Sequence, residues 1–225
     1  MIDDLHDELV ADGSGAYTLR DKRYRDEVIN NVVISPDSRF GDYEIANVSF
    51  VDCAISNGRF SVFGASRLAN VNIVNLQCDR YSFHADNQLD NVSISGGEGS
   101  TLWLRAPLDR KGNRVEGVSL RHPTSPDGIC LDLSDFLGEV EILHADPKNI
   151  RINPEIHVVC ERDRLETIDW QCDPVLSKTD FDVMLVKARL SVTGIYIASI
   201  TGTSGKIIPT FDVALAELRR RGVVD

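Results

Sequence analysis

Alternating apolar and polar residues recur along the first half of the chain in five similar short segments. Each has an apolar residue, a spacer, Asn or Gly, then Val, one further residue and a second apolar residue. This alternation has a period of two, which predicts β-strands that bury one face. The segments are INNVVIS (29–35), IANVSFV (45–51), LANVNIV (68–74), LDNVSIS (89–95) and VEGVSLR (115–121).

The spacing of these segments indicates how they are arranged. Their Asn or Gly positions are 16, 23, 21 and 26 residues apart, and repeats of this length are typical of stacked architectures. Similar segments stacked one coil apart would place Val on Val and Asn on Asn. We therefore predict a mainly β fold, a parallel β-helix (solenoid), with an antiparallel β-sandwich as the alternative. The expected hydrogen-bonded ladder comprises Asn31, Asn47, Asn70 and Asn91.

A second period of five residues lies within the repeat. Asn47, Asp52 and Asn57 are five apart, as are Asn70 and Asn75. Over about 30 residues the pattern resembles the pentapeptide-repeat family, whose motif is roughly A-(D/N)-L-x-x. The resemblance implies a right-handed β-helix. The chain departs from the motif by using Val, Cys or Gly at the central apolar position and by varying its coil length, so a general right-handed parallel β-helix is expected.

The two ends of the chain differ from the repeat. Ile2, Leu5 and Leu9 form an apolar stripe that predicts a short N-terminal capping helix over residues 2–11. We expect three parts: an N-terminal cap at 1–25, the β-helix at 26–165 and a small α-rich C-terminal element at 166–225. That last element would either cap the β-helix or bind a partner.

Further elements are predicted towards the C-terminus. Residues 139–145 and 155–161 have strand patterns, and helices are predicted over 178–190 and 209–222. The segment VTGIYIASITG between the two helices is compatible with either strand or helix. The first helix would bury Phe181, Met184, Leu185 and Ala188, and the second would bury Val213, Leu215 and Leu218.

The net charge of the chain limits the kinds of partner that it is expected to bind. The chain of 225 residues has 24 Lys and Arg against 35 Asp and Glu, a formal net charge of −11. Binding to nucleic acid needs cations that displace counterions from phosphates, so direct nucleic-acid binding is not expected, whereas a basic protein partner is. A homodimer is compatible with the sequence.

Other sequence features set the expected class and location. The longest apolar runs are too short for a transmembrane helix, and the acidic N-terminus lacks the features of a secretory signal, so a cytoplasmic protein without membrane association is expected. The five Cys and five His have no metal-ligand spacing, and GTSGK (202–206) departs from a phosphate-binding loop at Ile200 and Ile207. We therefore expect no cofactor, no metal and no catalytic site.

The favoured interpretation is a non-enzymatic acidic protein-binding module that engages and neutralises a basic partner. Immunity proteins of basic toxins have this character, and the pentapeptide-repeat resemblance suggests DNA mimicry. The acidic residues expected to contact the partner are Asp37, Asp42, Glu44, Asp52, Asp79, Asp86 and Asp90.

Two alternatives remain open from the sequence. SPDGICLDL (125–133) resembles the N-T-D-G segment of β-helical polysaccharide hydrolases, which implies a carbohydrate-active enzyme with Asp127 and Asp132 as its carboxylates and an aromatic platform such as Trp103 nearby. The third interpretation is a structural oligomerising scaffold.

Overall fold

Two sheets of mostly parallel strands coil around one apolar core in this computed structural model, forming a β-solenoid of about five turns. The solenoid and the mainly β character confirm the prediction. The structure describes residues 1–13, 15–34, 43–106, 113, 115, 117–118, 128–179, 181–200 and 209–224.

The strands among these residues are short, as in most solenoids. In chain order they are β1 (Ile2–Asp4), β2 (Val10–Ala11), β3 (Tyr17–Arg20), β4 (Arg23–Arg25), β5 (Val28–Ile34), β6 (Tyr43–Val51), β7 (Ala54–Ile55), β8 (Arg59–Val62), β9 (Arg67–Val74), β10 (Arg80–His84), β11 (Gln88–Ser95), β12 (Thr101–Arg105), β13 (Leu131–Leu133), β14 (Glu139–Leu143), β15 (Ile150–Ile152), β16 (His157–Glu161) and β17 (Ile195–Ser199).

Sheet 1 has the order β1-β5-β8-β10-β12-β14-β17-β16, and β7 also pairs with β5. Sheet 2 has the order β15-β13-β11-β9-β6-β3-β2, and β4 also pairs with β6. The α-helices are α1 (Arg162–Leu165), α2 (Phe181–Leu190) and α3 (Pro209–Arg220). Shorter 3₁₀ helices span Leu5–Glu8, Pro147–Asn149 and Leu176–Lys178.

The repeated segments stack in register in sheet 2. Val48 pairs with Val71 and Val71 with Val92, and the column continues through Leu131 and Ile150. All five side chains are buried. The predicted stacking of Val on Val is therefore confirmed, and it forms one apolar wall of the core.

Aromatic side chains fill the core along the solenoid axis. The ring centroids of Tyr24 and Phe50 lie 5.1 Å apart, those of Phe50 and Phe60 5.7 Å, and those of Phe60 and Tyr81 6.1 Å. Phe136 continues the series at 5.8 Å from Tyr81. Each coil thus contributes large rings that pack against those of the neighbouring coils.

A ladder of hydrogen-bonded Asx side chains runs along one corner of the solenoid, directly beside the valine column. Asn47 Nδ2 donates to Asp21 Oδ1 (3.0 Å), Asn70 Nδ2 to Asn47 Oδ1 (3.1 Å) and Asn91 Nδ2 to Asn70 Oδ1 (2.9 Å). All four residues have φ between 53° and 56°, the left-handed region that Asn and Asp tolerate best among residues with a β-carbon. Asx residues therefore suit this corner for two reasons. They tolerate the left-handed conformation of the turn, and their side chains form the ladder.

The five-residue period has a direct structural meaning. A second corner lies five residues after the first, where Asp26, Asp52 and Asn75 also have positive φ and Asn75 Nδ2 donates 3.0 Å to Asp52 Oδ1. Gly96 occupies this position in the next coil, because a β-carbon there would collide with the Asn75 side chain.

The prediction for Asn31 is wrong. Asn31 lies on β5 in sheet 1, where Asn31 Nδ2 donates to Asp4 Oδ2 (2.8 Å) and its Oδ1 accepts from Asn57 Nδ2 (2.8 Å). Its segment resembles the others but belongs to the opposite sheet, which explains the short separation of 16 residues from Asn47. Asp21 takes the predicted place of Asn31 in the ladder.

The fifth repeated segment, 115–121, lies mostly outside the described residues. The strand that continues sheet 2 after β11 is β13, since Val92 pairs with Leu131. Residues 131–133 therefore occupy the position in sheet 2 that follows β11.

The predicted N-terminal capping helix is not found. Residues 2–11 form β1, a 3₁₀ turn and β2 instead. An isolated helix of this length is marginal, whereas β1 satisfies its backbone groups by pairing with β5. Asp4 caps the turn through the backbone amide of His6 at 2.9 Å. Leu5 is nevertheless fully buried in the core, with Ile2 and Leu9 packed against it.

The C-terminal residues build a second core. Strand β17 runs antiparallel between β14 and β16 in sheet 1, and its neighbours α2 and α3 cover an apolar cluster separate from that of the solenoid. Both predicted helices are confirmed, and α2 buries all four residues expected of it. Helix α3 buries Leu215 and Leu218, but Val213 is 49% exposed and Phe211 and Ala214 are buried instead.

Candidate functional site

An open groove lies along the side of the solenoid where the chain passes from sheet 2 to sheet 1. It is lined by residues 54–58, 75–79 and 96–100, one stretch from each of three successive coils, and by Leu137, and it has a volume of about 690 Å³. The second Asx corner creates it by turning each coil away from sheet 2. We call it the acidic groove.

Two exposed carboxylates line the acidic groove. These are Asp79 and Glu98, from neighbouring coils, and Asp52 lies beside Asn75 at the groove's edge. Among the described lining residues there is no Lys or Arg. Gly58 is required here because a β-carbon would collide with the Asp79 carboxylate. The groove therefore presents uncompensated negative charge to solvent.

Among the lining residues that the structure describes, Cys78 carries the one thiol of the acidic groove. Burial raises the pKa of Cys78 to about 11, so the thiol is protonated near neutral pH and is a poor nucleophile. The groups that the groove can offer to a ligand are therefore carboxylates, hydroxyls and backbone groups rather than a thiolate.

Other predicted acidic residues are engaged within the protein. Glu44 pairs with Arg20 and lies 2.5 Å from Arg67 Nη1, and Arg67 Nη2 lies 3.7 Å from Asp90 Oδ2. Glu44 and Asp90 side chains are only 16% exposed. These two carboxylates are thus partly neutralised on the outer face of sheet 2, away from the acidic groove.

The remaining predicted acidic residues do not add to the groove. Asp86 is half-buried in the turn after β10, beside His84. Asp37 and Asp42 lie outside the described residues. Of the seven predicted residues, Asp79 lines the acidic groove and Asp52 is hydrogen-bonded to the lining residue Asn75. The groove also contains Glu98, which the sequence interpretation missed. A signal for Glu98 was the glycine-rich context GGEG, which exposes it on a tight turn.

The predicted carboxylates of the carbohydrate-active alternative are not seen as a pair. Asp132 lies on β13 in sheet 2, with Arg151 Nη1 3.1 Å from its Oδ2. Partial burial alone would raise the pKa of Asp132, but hydrogen bonds from Ser134 and the Arg151 guanidinium outweigh burial and hold the pKa below its usual value. Trp103 lies on β12 in the opposite sheet, and Asp127 is outside the described residues.

A second groove lies on the outer face of sheet 1 and was not anticipated. Its volume is about 310 Å³, and none of its described lining residues is acidic. We call it the arginine groove. Its lining comprises Arg59, Ser61, Phe63, Arg80, Ser82, Phe83, His84, Trp103, Arg105 and Ala106.

Trp103 organises the arginine groove. The guanidinium carbons of Arg80 and Arg105 each lie 3.6 Å from the centroid of its ring. Two guanidinium groups at this distance cannot share one face without overlapping, so they lie on opposite faces of the indole. The sequence signal was the spacing of 21 residues, one coil, between Arg59 and Arg80, each followed directly by an aromatic residue.

The described residues contain no group of three or more His, Cys, Asp or Glu side chains arranged to hold a metal ion. Among the helices that the structure describes, none has the length and apolarity needed to cross a bilayer.

Comparisons with known proteins give no relative. No protein-family model, curated protein or solved structure matches the chain. The class of the protein is that of a β-solenoid, defined by its own strand pairing.

Proposed function

We propose that this protein is a non-enzymatic binding module whose acidic groove engages a basic protein partner. The observation that carries the proposal is the open groove of about 690 Å³ in which Asp79 and Glu98 are exposed with no cation among the described lining residues.

The architecture suits such a partner because the acidic residues come from successive coils. Neighbouring coils in a parallel sheet lie about 4.8 Å apart, so Asp79 and Glu98 present carboxylates from neighbouring coils of a rigid frame, and Asp52 adds a third from the coil before. A rigid surface loses little conformational entropy when it binds. An extended or looped basic segment with several Lys or Arg side chains matches these carboxylates.

The net charge of the chain supports the same partner. A formal charge of −11 attracts a basic protein over a distance of about 10 Å at moderate ionic strength and accelerates association. Neutralisation of a basic toxin, or occupation of the DNA-binding surface of a basic protein, would both use this electrostatic complementarity.

The proposal is tested by neutralising the groove. Binding of an oligo-arginine peptide and of a panel of basic proteins is measured by biolayer interferometry at low and high salt. The paired substitutions Asp79→Asn and Glu98→Gln are expected to weaken binding by roughly tenfold and to reduce its salt dependence.

The matched control changes the net charge equally at another place. Asp182→Asn with Asp212→Asn removes two exposed acids from the first turns of α2 and α3. This variant is expected to bind almost as well as the natural chain. Equal losses in the two variants would show that only the overall charge matters and would overturn the assignment to the groove.

A further inference from the structure

We propose that the arginine groove is a binding site for a small anionic ligand that carries a planar ring, for which a mononucleotide is a simple example. This proposal is independent of the acidic groove, because it concerns the opposite charge on a different surface.

The first observation is a pair of adjacent arginines without a carboxylate. Arg59 and Arg80 are direct neighbours in the register of β8 and β10. Neither guanidinium makes an ion pair with the described residues, and Arg80 has only its contact with Trp103. Like charges directly opposite each other destabilise a sheet. An anion bound between the two guanidiniums would offset that repulsion.

Three arginines on sheet 2 differ from Arg59 and Arg80 because they have carboxylate partners. Arg20, Arg67 and Arg151 on sheet 2 each pair with a carboxylate, as expected for a chain with an excess of acids. In the arginine groove, by contrast, two neighbouring strands place Arg59 and Arg80 side by side, and none of the described lining residues is acidic. Guanidinium groups bind phosphate and carboxylate groups through paired N–H donors.

The second observation is the apolar part of the groove. Phe63 and His84 have ring centroids 4.8 Å apart, and Ala106 and the edge of Trp103 complete this side. Burial lowers the pKa of His84 below its usual value, with Asp86 opposing the effect, so the imidazole is largely neutral at pH 7. An uncharged aromatic surface beside two cations fits a ligand with a planar ring and an anionic group.

The third observation is that the Arg80 and Arg105 side chains are held in place. Arg105 Nη2 lies 3.0 Å from Glu141 Oε1, and Lys187 Nζ lies 3.0 Å from the same oxygen. With the indole between Arg80 and Arg105, both side chains are restrained before any ligand binds. Such preorganisation lowers the entropic cost of binding.

Size selects a small ligand over a polymer. A volume of about 310 Å³ lies at the lower end of the range for small-molecule sites. Ser61 and Ser82, neighbours in the register, add hydroxyl groups at the same surface.

The experiment uses the full chain with Trp170→Phe, which leaves Trp103 as the only tryptophan. Adenosine 5′-monophosphate, adenosine and inorganic phosphate are titrated separately, with Trp103 fluorescence and calorimetry as readouts. We expect saturable binding of the monophosphate, and binding of adenosine or inorganic phosphate alone that is at least tenfold weaker. Trp103 emission should change because the bound anion alters the charge next to the indole.

Two variants decide where the ligand binds. Arg59→Gln leaves the Trp103 contacts intact and is expected to weaken binding of the monophosphate at least tenfold. Arg25→Gln removes an exposed arginine on sheet 2 and is expected to have no effect. Failure of the monophosphate to bind at millimolar concentration, binding unaffected by Arg59→Gln, or binding of an oligo-glutamate peptide in its place would each overturn the proposal.

Discussion

The solenoid and the C-terminal region achieve burial in different ways. In the solenoid, a residue packs against its counterpart one coil away, as the column from Val48 to Ile150 shows. In the C-terminal region, α2 packs on β16 and β17, and α3 packs on the 3₁₀ helix Leu176–Lys178, through contacts that occur once. The comparison teaches that repetition spreads stability over many equivalent contacts, whereas the unrepeated region depends on a few particular ones.

Each region carries its own spectroscopic reporter. Trp103 lies on β12 of the solenoid, and Trp170 packs against the C-terminal cluster with its ring centroid 6.1 Å from that of Phe181. Variants that keep one tryptophan therefore report the unfolding of the two regions separately.

The largest expected effect is from Phe60→Ala in the solenoid core. The Phe60 ring is fully buried between Phe50 and Tyr81, and its loss leaves a cavity between coils. We expect the free energy of unfolding to fall by about 3–5 kcal/mol.

Denaturant unfolding followed by Trp103 fluorescence measures this loss. Val213→Ala, which trims a side chain 49% exposed on α3, serves as the control and should change the free energy of unfolding by less than about 0.5 kcal/mol. A loss below about 1 kcal/mol for Phe60→Ala would contradict the prediction. It would mean that the buried aromatic rings contribute little to the packing of neighbouring coils.

An intermediate effect is expected from Asn70→Asp in the ladder. Asn70 donates to Asn47 and accepts from Asn91. A carboxylate can accept but cannot donate, so it faces the Asn47 oxygen without a hydrogen. We expect a loss of about 1–3 kcal/mol, again measured with Trp103.

The control for the ladder is the reverse exchange at its first position. Asp21 only accepts, and Asn would accept equally well through its amide oxygen, so Asp21→Asn is expected to be nearly neutral. Equal losses for Asp21→Asn and Asn70→Asp would show that the direction of the hydrogen bonds does not govern the stability of the ladder.

The smallest effect concerns acid and the C-terminal region. Hydrogen bonds from Arg220 and then Arg221 lower the pKa of Glu217 from 4.5 to about 2. Because the folded pKa is depressed, the stabilisation is present above about pH 4.5 and is lost as the pH falls towards about 2. The melting temperature reported by Trp170 should therefore fall more steeply with acid in the natural chain than in Glu217→Gln.

Glu155→Gln provides the comparison for Glu217, since Glu155 is exposed between β15 and β16. It should retain the full acid dependence of the natural chain. Identical acid profiles for Glu217→Gln and the natural chain would exclude the arginine pairs as the acid-sensitive contacts.

The fold was predictable where the sequence repeats. Segments separated by 21 and 23 residues, at Asn47, Asn70 and Asn91, indicated one coil each, and the structure places them in register. The segment around Asn31 has the same local pattern on the other sheet, because both sheets require alternating apolar residues. Only its separation of 16 residues distinguished it.

The candidate sites were less predictable for a physical reason. Whether Glu44 is a free carboxylate depends on Arg20 and Arg67, which the stacking brings to it from the coils on either side. Charge counted along the chain cannot show that pairing. Arg59, Arg80 and Trp103 become neighbours only across strands, so the arginine groove required the register as well as the sequence.

Because the hydrogen bonds of the Asn ladder all run in one direction, the number of coils in the solenoid can change. Asp21 ends the ladder because its carboxylate has no hydrogen to donate, whereas Asn47 and Asn70 each donate to the coil on one side and accept from the coil on the other. A tandem duplication of residues 47–69 would therefore insert a complete coil whose Asn fits between its neighbours. Each such duplication would lengthen the solenoid by about 4.8 Å, so a gene can change the size of this protein in whole coils without redesigning either end.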